Sequence, residues 1–216
     1  MKRGFTLIEL LGIIVVLGII ATIVTPVIQS TLAQNQESVY NTLVKQIEGN
    51  AKDYLEYNTD KLPQDEGDSV VVKLGEMKEA GFIQISIKNP KTDNIISNES
   101  YVTVTKKGNN YTFETTIYDL TDADEVVSGA PIISVLEDKE NKVKKLNETI
   151  SIGSTYKFDE KVTVDGTKDS DFSRQIIKDN KEVASIDTSV KGIYEIYYSK
   201  LKDGKLGITI RTIRVA

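Results

Sequence analysis

Between residues 10 and 28 only Thr22 and Thr25 are not apolar, and this run constrains the fold more than any other feature of the chain. Its length matches the roughly 20 apolar residues that a membrane-spanning helix needs. Lys2 and Arg3 precede it, so the positive-inside rule puts the N-terminus in the cytoplasm and everything after Gln29 outside. A secretory signal peptide would carry a small-x-small cleavage site after its apolar core. The chain instead reads Gln29-Ser30-Thr31-Leu32-Ala33-Gln34, a poor match. Glu9 stands inside the start of the apolar segment, where a carboxylate costs about 2.5–3.5 kcal/mol at a helix centre. Snorkelling to the nearby cytoplasmic surface lowers that cost, so position alone leaves both a bland and a functional account open. Pro26 cannot donate to the carbonyl of Thr22 and Gly18 weakens the turn above, so a kink or loosening is expected between them.

Composition removes several classes of chemistry. The 216 residues include no Cys and no His. Disulfides, thiolate or imidazole metal ligands and Ser-His-Asp or Cys-His dyads are therefore excluded, and an enzyme is not expected. A net charge of -5 argues against a nucleic-acid partner, which needs a basic stripe. Residues 30–129 hold nine Lys/Arg against seventeen Asp/Glu, and residues 130–216 hold sixteen against fourteen. That shift from -8 to +2 suggests a boundary near Gly129.

Beyond the apolar run, Ile28, Leu32, Val39, Tyr40, Leu43, Ile47, Ala51, Tyr54 and Leu55 recur at helical spacing among polar residues, which predicts an amphipathic continuation packed on a sheet. Nothing stops it firmly before Asn58 and Pro63, so one helix is expected from Phe5 to about Tyr57. Residues 73–80 followed by Gly81 read as a short helix with a glycine cap. Residues 101–105 and 111–117 are β-rich runs around Lys106-Lys107-Gly108-Asn109-Asn110, a hairpin signal.

Asp119-Leu120-Thr121-Asp122-Ala123-Asp124-Glu125 reads as an acidic connector rather than a calcium loop, because it lacks EF-hand spacing. Short strands are then expected over residues 132–135, 148–152, 161–164, 174–177, 193–198 and 206–215, the spacing of an all-β sandwich. The last two flank Asp203-Gly204 and should close as a hairpin. Residues 165–171, with three carboxylates, are read as a polar loop, not a cation site. No metal or cofactor is expected.

Gly4-Phe5-Thr6-Leu7-Ile8-Glu9-Leu10-Leu11, following a basic leader and opening a long apolar helix, resembles the signal of type IV prepilins and of type II secretion pseudopilins. The resemblance implies cleavage by a prepilin peptidase between Gly4 and Phe5 and N-methylation of Phe5. It also implies a role for Glu9 in assembly, its carboxylate meeting the new Phe5 amine of another subunit and compensating it in a dry core. Gly18 and Pro26 look like the pair that in such pilins brackets a segment able to unwind in the filament. The string from Val72 to Ile83, then Asn89-Pro90, is similar to the post-stalk region of pilin-like proteins of Gram-positive bacteria. Pro131-Ile132-Ile133, Ile152-Gly153-Ser154-Thr155-Tyr156, Ile186-Asp187-Thr188-Ser189 and the final hairpin resemble bacterial Ig-like modules of Gram-positive surface proteins.

The expected chain is thus α+β. Residues 1–4 form a leader, 5–29 a membrane and assembly helix, 30–120 a stalk and α+β head with a small antiparallel sheet, 121–130 a linker, and 131–216 an Ig-like sandwich. The resemblance implies a pilin, membrane-bound as a precursor and then in a surface filament with other pilin subunits, and the added C-terminal module, which would project from the shaft or tip, makes a minor pilin the expectation. The Ig-like module would serve for spacing or for adhesion to a cell-surface or glycan ligand. A pseudopilin of a secretion or DNA-uptake apparatus, or a membrane-anchored Ig-like adhesin, is the alternative.

Overall fold

The computed structural model describes residues 7–121, 128–136, 142–143, 145–156, 162–167 and 171–216. The chain divides into two compact units, Met1–Thr42 and Leu43–Ala216. Helix α1 spans Leu7–Tyr57 and runs through Pro26. A single 3₁₀ turn, Thr59–Lys61, follows it.

In the larger unit, strands β1 (Ser69–Lys73), β2 (Tyr101–Lys107) and β3 (Asn110–Thr116) form an antiparallel sheet in that order. Along β2 the apolar Val102 and Val104 alternate with threonines, which gives the strand one buried face. Against that face lie Ile47, Ala51, Tyr54 and Leu55 of α1, together with Leu74 and Met77 of helix α2 (Leu74–Glu79). Within the larger unit the expected stripe packs as Leu43, Ile47, Ala51, Tyr54 and Leu55. Ile28, Leu32 and Val39, in the smaller unit, are exposed, Leu32 at 57%.

Helix α2 stops as Gly81 requires. Gly81 adopts φ +78, its N–H donates to Lys78 O, and Phe82 N–H donates to Met77 O. Those two bonds close the helix in a Schellman motif. The β2–β3 turn places Gly108 at φ +59 between Lys107 and Asn110, the positive φ that a tight two-residue hairpin loop needs.

The remaining strands are β4 (Ile133–Leu136), β5 (Lys142–Val143), β6 (Lys145–Ile150), β7 (Val162–Val164), β8 (Ser173–Lys178), β9 (Lys181–Val183), β10 (Gly192–Lys202) and β11 (Lys205–Val215). They make a five-stranded sheet, β6-β11-β10-β8-β9, and a three-stranded sheet, β5-β4-β7. Ile133, Val135, Val162 and Val164 from the smaller sheet share one core with Ile176, Tyr194, Ile196, Tyr198, Ile213 and Val215 from the larger. The larger sheet is mixed, because β6 runs parallel to β11. Strands β10 and β11 pair over eleven residues each around Asp203 (φ +50) and Gly204 (φ +71). Two consecutive positive φ values match the right-handed twist of a long hairpin. The chain is α+β, with a long N-terminal helix followed by antiparallel and mixed sheets.

Residues 122–127 of the expected connector lie outside the described residues. On either side of them the larger unit is knit together. Ile95, Leu120 and Ile177 form a further buried cluster with Tyr197 and Ile208 against it. Gln175, only 1% exposed, accepts the Asn98 N–H at 2.7 Å and donates to Ile96 O at 3.1 Å. Glu99, 2% exposed, accepts from Ser173 Oγ, from Leu201 N at 3.1 Å and from Lys73 Nζ at 3.2 Å. Burying these polar groups is tolerated because each finds partners.

Candidate functional site

The site is the N-terminal helix, and its chemistry comes from what the helix leaves uncovered. Over the apolar run, from residue 10 to residue 28, every position is exposed, including Leu10, Ile14, Leu17, Ile20, Ile23 and Val27. A surface so uniformly apolar has no reason to remain in water, since each such side chain gains about 1.5–3 kcal/mol on full burial. By length and composition Leu7–Tyr57 contains a segment able to cross a membrane.

The polar side chains in this segment are arranged to suit an apolar medium. Thr22 Oγ1 donates to Ile19 O and Thr25 Oγ1 to Ala21 O, both at 2.7 Å. Ser30 Oγ and Thr31 Oγ1 both donate to Val27 O at 2.9 Å. Their hydroxyls are thereby satisfied within the helix's own backbone, which for Thr22 and Thr25 is what hydrocarbon surroundings require.

Glu9 is the acidic residue of the first turn, where the helix dipole favours a negative charge. It is exposed and shares a face with Gly12, Ile13, Val16 and Leu17. Gly12 and Gly18 have open space where a Cβ would stand, so neither is held by a close approach within its own unit. Close approach of another helix is the use that glycines find in apolar surroundings. Pro26 lies inside the helix between Thr25 and Val27. Gly4 and Phe5 lie outside the described residues.

The other carboxylate-rich stretches are engaged by their own chain. Asp119 accepts from Asn89 Nδ2 at 3.0 and 3.1 Å and from Thr92 Oγ1 at 2.7 Å. Asp165 accepts from Ile132 N and Lys202 Nζ, both at 3.0 Å, and Asp171 pairs with Lys200. Residues 168–170 of that loop lie outside the described residues. Among the described residues no cluster of three acidic groups could hold a metal ion.

Residues 1–25 match the family model of the prokaryotic N-terminal methylation motif. This is the signature of type IV pilins, a structural class, and here it ends just before Pro26. The motif implies processing by prepilin peptidase and assembly with other pilins, and with the exposed apolar helix it fits a membrane-anchored, pilin-like or pseudopilin precursor. No curated protein and no solved structure matches the chain.

Proposed function

We propose that this protein is a subunit, in a minor role, of a type IV pilus-like filament. The carrying observation is the methylation motif over residues 1–25 at the head of a helix whose apolar run, residues 10–28, is exposed throughout. In this reading Lys2 and Arg3 hold the precursor's N-terminus in the cytoplasm. Prepilin peptidase cuts between Gly4 and Phe5, and Phe5 is N-methylated. The apolar helix then leaves the lipid for the filament core. There the Phe5 amine of one subunit meets Glu9 of another, since an isolated carboxylate in a dry core is costly and a paired one much less so. Gly18 and Pro26 mark where the helix can give way in the filament. The β-sandwich of residues 131–216, which we read as Ig-like, is displayed outside the shaft for spacing or adhesion.

Co-expression with a prepilin peptidase and mass spectrometry of the N-terminal peptide test this. The expected product begins with N-methylated Phe5, and Gly4→Leu abolishes it. An intact leader on wild-type protein in peptidase-positive cells would sink the proposal. For assembly, Glu9→Ala is expected to lower sheared filament yield at least tenfold without changing the membrane level of the precursor.

A further inference from the structure

At the C-terminal end of α2, three groups able to react with one another are packed together. Lys78 has a side chain only 5% exposed, and its Nζ lies 2.7 Å from Oδ1 of Asn98. The same Nζ lies 2.7 Å from Oε2 of Glu182 on β9, itself 6% exposed. With a carbonyl bond of about 1.2 Å, Cγ of Asn98 can be no further than about 3.9 Å from the amine. Reacting atoms held about 3–3.5 Å apart gain most from pre-positioning, so the amine is within a small displacement of attack.

The surroundings fix both partners of that amine. Gly75 N donates to Asn98 O at 3.1 Å, and a Cβ on Gly75 would stand 3.2 Å from Cβ of Asn98. The helix backbone therefore closes directly over the asparagine. Gln175 holds Asn98 by accepting its N–H, and its Nε2 donates to Glu182 Oε2 at 3.0 Å. Glu182 is anchored in turn through its own N–H, which donates to Ser86 Oγ at 3.0 Å. Burial keeps the Lys78 amine below the usual lysine range, which favours the neutral, nucleophilic form. A cavity of about 260 Å³, lined in part by Gly75, Lys78, Asn98 and Glu182, adjoins the three groups and leaves room for a small product.

We propose that Lys78 and Asn98 become joined by an isopeptide bond, with Glu182 carrying the protons. Glu182 takes a proton from the Lys78 ammonium, and the freed Nζ lone pair attacks Cγ of Asn98 to form the new C–N bond. The carbonyl electron pair moves to Oδ1. Glu182, now a carboxylic acid, protonates Nδ2, the carbonyl re-forms, and the Cγ–Nδ2 bond breaks to release ammonia. Nζ then gives its surplus proton to Glu182, which passes it to the ammonia. One ammonium ion leaves, the carboxylate is restored, and nothing is oxidised or reduced. Gln175 is a positioning residue that keeps Asn98 and Glu182 on either side of the amine. The product is a covalent strap from α2 to the segment entering β2, formed only where β9 supplies its carboxylate.

Mass spectrometry of the full chain, intact and after trypsin, tests this. The expected intact mass is below that of the unlinked chain by one ammonia, and one branched peptide contains both Lys78 and Asn98. Lys78→Arg and Glu182→Gln, each shown to be folded by circular dichroism, are expected to restore the unlinked mass. Recovery of Lys78 and Asn98 in separate peptides from wild-type protein overturns the proposal. Loss of ammonia without a branched peptide also overturns it, because that result marks cyclisation of an asparagine. Undiminished linkage in Glu182→Gln overturns the role given to Glu182.

Discussion

At the scale of single residues, the side chains that hold the larger unit together are polar ones whose value depends on completeness. Gln175 satisfies Asn98 N, Ile96 O and Glu182 at once. Truncation to alanine leaves those groups without their partner, and a loss of about 2–3 kcal/mol is expected in urea unfolding of the detergent-solubilised chain. Charge supplies a weaker, pH-dependent layer. Hydrogen bonds from Lys200 hold the Asp171 carboxyl below its ordinary value, and those from Ser189 do the same for Asp187. For a depressed carboxyl the stabilisation is fully present above the unfolded pKa, near 3.8, and is lost as pH falls through the folded pKa. Thermal midpoints should therefore drop below about pH 4, less steeply in Asp171→Asn. Glu9 stood out in the sequence as a carboxylate in an apolar run, and the structure places it exposed in the first turn of α1. Gln175 and Glu99 carried no such mark: a buried polar side chain is defined by partners far away in the chain, which neither composition nor spacing reveals.

At the scale of elements, legibility followed how local the determining physics is. Helix α2 and its Gly81 stop, the β2–β3 turn and the β10–β11 hairpin were each written in a few neighbouring residues, and their boundaries match within a residue or two apart from β10, which runs on to Lys202. The apolar stripe of α1 was legible as a stripe but not in how much of it is buried, since burial depends on distant partners that local spacing does not reveal. Strand β1 was missed because Val70, Val71 and Val72 form too short a run to declare a period, and the parallel pairing of β6 with β11 is a matter of topology. Two contrasts follow. Leu55→Ala, which empties core, should cost about 2–5 kcal/mol. Leu32→Ala, at an exposed site, should change stability by less than about 0.5 kcal/mol. Gly207 poses the opposite problem, for a Cβ there would lie 2.0 Å from Pro131 O. Because that neighbour is backbone and cannot rotate away, Gly207→Ala is expected to cost at least about 2–3 kcal/mol in the same urea titration.

At the scale of the molecule, the unit Leu43–Ala216 is built so that neither β portion is complete alone. Ile95 and Leu120 lean on Ile177, and Lys78 on Glu182. A chain stopped after residue 130 should therefore melt at a markedly lower temperature than the full chain and bind a hydrophobic dye, read by differential scanning fluorimetry. The smaller unit obeys another logic. Thr22 and Thr25 already spend their hydroxyl protons on their own backbone, so the apolar run of residues 10–28 makes no new polar demand when its surroundings change. Exchanging hydrocarbon for the apolar flanks of other helices is then nearly a transfer between like solvents. In the filament we propose, the work of such a move falls on the two ends of the run, at the Glu9 carboxylate and at the polar stalk that must stay in water.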